Sequence, residues 1–555
     1  MTTAEAQSLK SAVTISTKYA VCDLTATLLR LDFLGSTQSD DQNDQNVTGD
    51  KVFCKNALEL VIGHYGMSDR TACSLRAHLA GEGCHNDVSS FIVTIKQEGA
   101  LHEGSSGSLD CLPLVADLCA LFVHTGDYDS RYRVLLRHAS ALLGVHFDRV
   151  RQFENSVAHL MVEQAYEASE QSKDEQSKKE KARRLKRYAL IGASAGVGGI
   201  LIGLTGGLAA PLIGAGVGVL VGGAAATTIA SAGGAAVIAS LFGAAGAGLT
   251  GYKMNRRAGS IEEFTVETLT DSGKALSCVL VVTGWIKEKR ADAFLKPWRC
   301  LAASSEQYSL RYESEYLLEF GRGLEYLMTA AASYAIQKAL LDTVLAGLVA
   351  AVAWPVALVS AASVIDNPWS ICAERAKQAG YELAALLLGR RHGRRPVTLV
   401  GYSLGARLLF HALLEMSAAA DCEGIVEDVV LLGAPVDGSP SDWRRVSRVV
   451  GGRVVNGYCT TDWILKFLYR TVSAQWTIAG IAPVECSGER KITNVNLSHI
   501  ISGHMDYEPR LSEALKCVGL PVDDSVPLTK LETPSSSNLQ LFREPQGQEP
   551  TLNND

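Results

Sequence analysis

The chain has 555 residues, too many for one ordinary domain, and its 47% hydrophobic content supplies a sizeable core. A net charge of −7, with no Arg/Lys-rich block interleaved with aromatics, argues against a nucleic-acid partner. Thirteen cysteines are scattered from Cys22 to Cys517 without a CxxC pair or a Cys/His ligand rhythm, which suits reduced, mostly buried thiols rather than a disulfide framework or a metal centre.

Met1 to Lys18 has no long apolar core behind a basic start, so no cleaved signal peptide is expected there. From about Ser16 to Tyr166 apolar residues recur three and four apart, as in Leu58–Ile62, Leu112–Ala116 and Val134–Leu136. Ser36 to Asp50 is polar and reads as a loop. No catalytic constellation is visible, and residues 1–165 read as an α-helical accessory domain. Residues 166–187 then carry mixed charges, including Arg183, Arg184, Lys186 and Arg187, and suggest an exposed helix or short coiled coil.

Residues 188–252 contain no Asp, Glu, Lys, Arg or His, and Gly and Ala fill 18 and 17 of those 65 positions. A membrane span needs about 20 apolar residues, so two or three passes would fit. Gly199, Gly203 and Gly207, then Gly214, Gly218 and Gly222, repeat every fourth residue, as close helix packing requires. Pro211 lies between the two rows, and basic residues flank both ends, including Lys253, Arg256 and Arg257. The pattern predicts a transmembrane hairpin with both soluble parts in the cytosol.

From Ile261 short β-rich runs alternate with helices. The predicted strands are Glu263–Leu269, Leu276–Thr283, Gln307–Tyr312, Val397–Gly401, Asp428–Leu432, Gly452–Val455 and Lys491–Leu497. This is the rhythm of an α/β domain, residues 258–517, with a mostly parallel sheet. Residues 518–555 are rich in Pro, Ser, Asn and Gln and read as a disordered tail.

Gly401-Tyr402-Ser403-Leu404-Gly405 fits the GxSxG nucleophile elbow. Gly192-Ala193-Ser194-Ala195-Gly196 fits as well, but a Gly/Ala helix pattern surrounds it. Ser403 follows the apolar run Pro396–Val400 and precedes the helical stretch Ala406–Leu414, which is the strand–turn–helix setting that the elbow needs. An acid and then a histidine should follow in chain order. Asp462, just past the Gly452–Val455 run, is the expected acid, with Asp437 and Asp442 as rivals. His504, on the loop after the last strand, is the expected base, with His499 as rival. An oxyanion would be held by the N–H of Leu404 together with one from Gly284 or Trp285, after the second strand. This chemistry needs no metal or cofactor. Between Asp342 and Asp366 lie 23 uncharged residues, which read either as a buried helix or as a lid or interfacial helix at the bilayer.

The combination of Val282-Thr283-Gly284-Trp285, Gly401–Gly405, Leu432-Gly433-Ala434-Pro435, Asn456-Gly457-Tyr458 and Ser502-Gly503-His504, together with the Gly/Ala-rich segment before it, resembles the transmembrane and coiled-coil domain-containing protein 4 family of eukaryotic membrane hydrolases. The likeness covers roughly residues 110–510. It implies an α/β-hydrolase fold, a membrane location and lipase-type activity on a membrane lipid, without a defined substrate. A membrane scaffold or trafficking adaptor that keeps the fold for structure alone is the competing reading.

Overall fold

A computed structural model describes residues 13–35, 45–82, 87–98, 111–170, 232–242, 261–270, 274–301, 306–341, 356–469 and 477–523. The first part is helical: α1 (Ile15–Leu29), extended by a π-helical turn over Arg30–Leu34, α2 (Gln45–Tyr65), α3 (Asp69–Ala80), α4 (Ser89–Glu98), α5 (Leu112–Val123), α6 (Ser130–Leu143) and α7 (Phe147–Glu170). Local chemistry sets several of the ends. Thr14, Ser68 and Asp129 accept hydrogen bonds from first-turn N–H groups, while Gly81 and Gly144 take the left-handed conformation that closes α3 and α6. Helix α2 begins at Gln45, inside the polar stretch expected to be a loop, because its later turns carry the buried face Phe53, Cys54, Ala57, Leu58 and Val61.

Helix α8 (Ala232–Phe242) follows, and then the α/β part: β1 (Phe264–Thr270), β2 (Cys278–Val282), β3 (Glu306–Tyr312), α9 (Ser314–Leu341), α10 (Val356–Leu388), β4 (Val397–Tyr402), α11 (Leu404–Met416), β5 (Val426–Leu432), α12 (Pro440–Val449), β6 (Val454–Tyr458), α13 (Trp463–Leu468), β7 (Ile492–Asn496) and α14 (Leu511–Cys517). The seven strands form one sheet in the order β1-β3-β2-β4-β5-β6-β7. Every neighbouring pair is parallel except β1 with β3 at the edge. Strands β4 and β5 are buried along their whole length, which is why their second halves, Leu399–Tyr402 and Val429–Leu432, read as apolar runs without alternation, while Glu427 and Asp428 sit at the start of β5.

In the parallel strands the C-terminal ends share one rim of the sheet and the N-terminal ends share the other. The helical part docks on the N-terminal rim. Tyr128 N–H donates to Arg394 O and Ser130 N–H to Gly424 O, each at 3.0 Å, just ahead of β4 and β5. Buried Arg133 of α6 bonds Glu154 of α7 at 2.9 Å and also Glu427 of β5, while Arg137 bonds Asp428 at 2.7 Å. Burial works against the Asp428 charge, but Arg137 and Arg453 hold its carboxyl below the usual range. Gly451 and Gly452 donate to Val426 O and Glu427 O of β5 but also crowd this contact, since a Cβ on Gly452 would lie 2.3 Å from Asp428 Oδ1. That moves the start of the sixth strand to Val454.

Of the uncharged stretch 188–252, only residues 232–242 are described. They form α8, an 11-residue helix whose Leu241 and Phe242 are buried in the core of the helical part. Arg394 N–H donates to Ser240 O at 3.0 Å, so α8 is clasped between the two parts of the chain. Among the described residues no helix is long and apolar enough to cross a membrane. The remainder of 188–252, and residues 171–187, lie outside the described residues. Past α14 the chain stays in the fold through Asp523, whose N–H donates to Cys300 O at 2.8 Å, with Val522 bridged to Leu301.

Two outcomes follow. Arg133→Ala leaves Glu154 buried without its cation and Glu427 with only the longer contact to Arg137 at 3.3 Å, and should destabilise the protein by about 3–5 kcal/mol, read as a lower denaturation midpoint. At the foot of β3, burial would raise the Glu306 carboxyl, but Arg395, Lys274 and Tyr308 lower it to about 2 from the usual 4.5. Its stabilising effect is therefore complete above pH 4.5 and fades as pH falls towards 2, an effect on the order of 3 kcal/mol. Glu306→Gln should be less stable than wild type at pH 7, with the gap closing towards pH 3 in thermal unfolding.

Candidate active site

Ser403 stands between the last residue of β4 and the first of α11, at the C-terminal rim, with φ 52° and ψ −125°. L-residues rarely occupy that region, and holding one there costs about 1–3 kcal/mol. Glycine makes the turn possible. A Cβ on Gly405 would lie 2.1 Å from Val282 O, and one on Gly401 would lie 2.9 Å from the Gly405 carbonyl carbon. Strand β2, the turn and the head of α11 are thus in backbone contact. The N–H of Ser403 donates to Leu432 O of β5 at 2.9 Å, tying the turn to the strand on its other side.

Three side chains from three loops of this rim meet in one line. Ser403 Oγ lies 2.6 Å from His504 Nε2, and His504 Nδ1 lies 2.6 Å from Asp462 Oδ2. With the Nδ1–H tautomer, His504 donates to the carboxylate and accepts from the serine hydroxyl. Asp462 follows β6 and caps α13: its Oδ1 accepts from Leu465 N–H at 3.0 Å while Oδ2 receives His504. One carboxylate both starts a helix and orients the imidazole. His504 opens a 3₁₀ turn after β7 and is buried, as are Ser403 and Asp462.

Gly284, after β2, lies directly against the turn. A Cβ there would be 2.4 Å from Tyr402 O, 2.6 Å from Ser403 Cβ and 3.0 Å from Leu404 N. Leu404 is the first residue of α11, where helix N–H groups have no carbonyl one turn earlier to bond. The β2 loop is braced from behind, with Trp298 Nε1 donating to Thr283 Oγ1 at 2.9 Å and Tyr312 Oη to Thr283 O at 3.3 Å. The Trp285 ring packs edge-on to Tyr402 at 4.9 Å and lies 5.3 Å from the His504 ring.

The rivals are elsewhere. His499 is exposed, 3.8 Å from Cys517 Sγ. Asp437 is exposed and pairs through its backbone with Ile478, and Asp442 lies 3.5 Å from Arg445 in the first turn of α12. Ser194 is outside the described residues. Tyr507 was not anticipated. Its ring is 5.9 Å from His504, and burial, reinforced by Asp462 and Cys459, pushes its hydroxyl well above the ordinary range and keeps it neutral. The Tyr507 hydroxyl and the Trp285 indole N–H are buried donors with no acceptor among the described residues. Arg407 also escaped notice: it bonds Ala373 O at 3.0 Å and Pro435 O at 2.9 Å, clamping α10 to the loop after β5. Its two shorter bonds go to carbonyls, which leave no mark in a sequence, and a third reaches the Tyr469 hydroxyl at 3.3 Å.

The chain is 48% identical over 533 residues to the Caenorhabditis elegans "Uncharacterized membrane protein F35D11.3", covering 95% of this chain and 84% of that one. Identity to the Oryza sativa "Transmembrane and coiled-coil domain-containing protein STS1" is 38% over 397 residues, 68% of this chain and 59% of the relative. The Saccharomyces cerevisiae "Probable lipase MIL1" is 31% identical over 436 residues, 74% of this chain and 38% of that protein, so this chain spans only part of the rice and yeast relatives. No solved structure matches. Residues 183–521 match the family described as "Protein of unknown function (DUF726)", and the chain belongs to that family.

Proposed function

We propose that this protein is a membrane-associated serine hydrolase with an α/β-hydrolase fold that cleaves the carboxyl ester of a lipid. The hydrogen-bonded line Ser403–His504–Asp462, begun at a strained strand-to-helix turn, carries the proposal. The chain order serine, acid, histidine is that of α/β-hydrolases. A relative named a probable lipase, and relatives named membrane proteins, agree with it. A scaffold would have no use for a serine held at this conformational cost.

In this reading His504 Nε2 takes the hydroxyl proton as Ser403 Oγ bonds to the ester carbonyl carbon, and the carbonyl π-electrons move to oxygen. The N–H of Leu404 and one from the Gly284–Trp285 loop receive that oxyanion, a donor of this kind being worth about 2.7–4 kcal/mol. The tetrahedral adduct collapses, the alkoxide leaves with the proton from His504, and the acyl group stays on Ser403 as an ester. Water, deprotonated by His504, then releases the carboxylic acid and restores the hydroxyl. Asp462 stabilises the imidazolium in both halves. Shielding from bulk solvent strengthens each of these interactions, and Ser403 is fully buried.

A fluorophosphonate should label the wild-type protein and fail to label Ser403→Ala; labelling that persists there and disappears in Ser194→Ala would overturn the assignment. Asp462→Asn separates the two tasks of that residue. An Asn caps α13 about as well, so the melting temperature should barely move, while hydrolysis falls by about 10⁴-fold because the imidazole tautomer is no longer held. Loss of both together would mean that Asp462 is structural only.

A further inference from the structure

The helical part holds a cavity of about 650 Å³ that shares no residue with the catalytic rim. Three segments enclose it: the π-helical turn after α1, the middle of α2 and the end of α3. Buried Leu58 of α2 and Leu79 of α3 form the floor, with half-buried Leu34 beside them. Where α3 ends at left-handed Gly81, a Cβ would meet no described atom nearer than Arg30 Cδ at 3.9 Å, so this side of the cavity is left open. Sites for small molecules have roughly this size, about 300–1,000 Å³, and the same make-up of an apolar bed with a few polar groups that fix orientation.

The charge around the cavity's mouth is unbalanced. Glu59 is taken by Arg76, which donates to both of its oxygens at 2.6 and 2.9 Å. Those bonds hold the Glu59 carboxyl below its usual range, with a smaller contribution from Lys55. Lys51 and Lys55 are exposed and stand one turn apart on α2, and neither forms an ion pair with a described residue. Like charges at that spacing repel each other, and an anion held by both relieves the repulsion. Solvated lysines are ordinary on a helix; what sets these two apart is the apolar floor next to them. A small hydrated anion would leave that floor facing water, and a neutral lipid would leave the lysines unpaired. An acyl chain with a negative head answers both demands.

We infer that this cavity binds a single-chain lipid with an anionic head group, its acyl chain lying on Leu34, Leu58 and Leu79 and its head at Lys51 and Lys55. Such binding is independent of the role proposed for Ser403, so the full chain is tested as Ser403→Ala, reconstituted in phosphatidylcholine vesicles and photolysed with an oleate analogue that carries a diazirine on its chain. Digestion and mass spectrometry should place the adduct within residues 30–35, 51–59 or 76–81. Oleate and lysophosphatidic acid should protect these residues, while oleyl alcohol and inorganic phosphate should not. Lys51→Glu/Lys55→Glu should lower the labelling by about tenfold or more, because two repulsive charges replace two attractive ones, whereas Lys51→Arg/Lys55→Arg should retain it. Both positions are exposed, so the melting temperature should stay at the Ser403→Ala value. Ala80→Trp, which fills the cavity from an exposed position, should block labelling with both lysines in place. Adducts elsewhere only, protection by oleyl alcohol as strong as by oleate, protection by phosphate alone, or labelling unchanged by the lysine reversal would each overturn the inference. So would labelling that appears only once Asp40, Asp41 and Asp44 are changed to Asn, since the lysines would then belong to the chain's own carboxylates.

Discussion

The backbone of Ser403 does not hold its conformation by local preference. It persists because three strands and a helix leave it no other place. Gly401 and Gly405 let β4 and α11 fold back on each other, Val282 of β2 abuts the head of α11, and Leu432 of β5 anchors the serine N–H. Any side chain at Gly284 would enter the same space. The central position of β4 is therefore more than a topological detail. Only a strand with parallel neighbours on both sides can brace one residue from two directions, and the loops that follow β2, β6 and β7 then bring Gly284, Asp462 and His504 to the same rim.

The two rims of the sheet are built from opposite chemistry. At the N-terminal rim the helical part is held by buried Arg–carboxylate pairs, with Arg133 shared between Glu154 and Glu427. Such pairs return little net stability against well-packed apolar residues, yet they are costly to break, so they favour a single docking geometry. At the C-terminal rim the buried polar side chains of Ser403, His504 and Asp462 are joined in one hydrogen-bonded line. The helical part is therefore not a cover for the site, because it is docked on the far side of the sheet.

Much of the α/β part was legible in the sequence, since strand burial and the elbow leave local marks. All seven predicted runs form strands, with ends shifted by one to a few residues. Those shifts have long-range causes: Leu276 packs into the helical core instead of extending β2, and Gly451–Gly452 belong to the inter-part contact. The antiparallel edge pairing of β1 left no such mark, and neither did the shared Arg133, whose carboxylate on β5 is 294 residues away. Within the candidate site, residue types and chain order pointed to Ser403, Asp462 and His504, and only the structure shows that these three lie together while Asp437, Asp442 and His499 lie apart from them. The dual use of Asp462, as cap and as partner of His504, combines two readings that a sequence presents as exclusive.

The account turns on whether Ser403 becomes acylated. The most direct measurement is mass spectrometry of the full chain, acid-quenched during turnover of a p-nitrophenyl long-chain ester and then digested. The account predicts an added acyl mass on the peptide containing Ser403, absent from His504→Ala. Turnover with no acyl adduct, or with the adduct on a different serine such as Ser194, would contradict it.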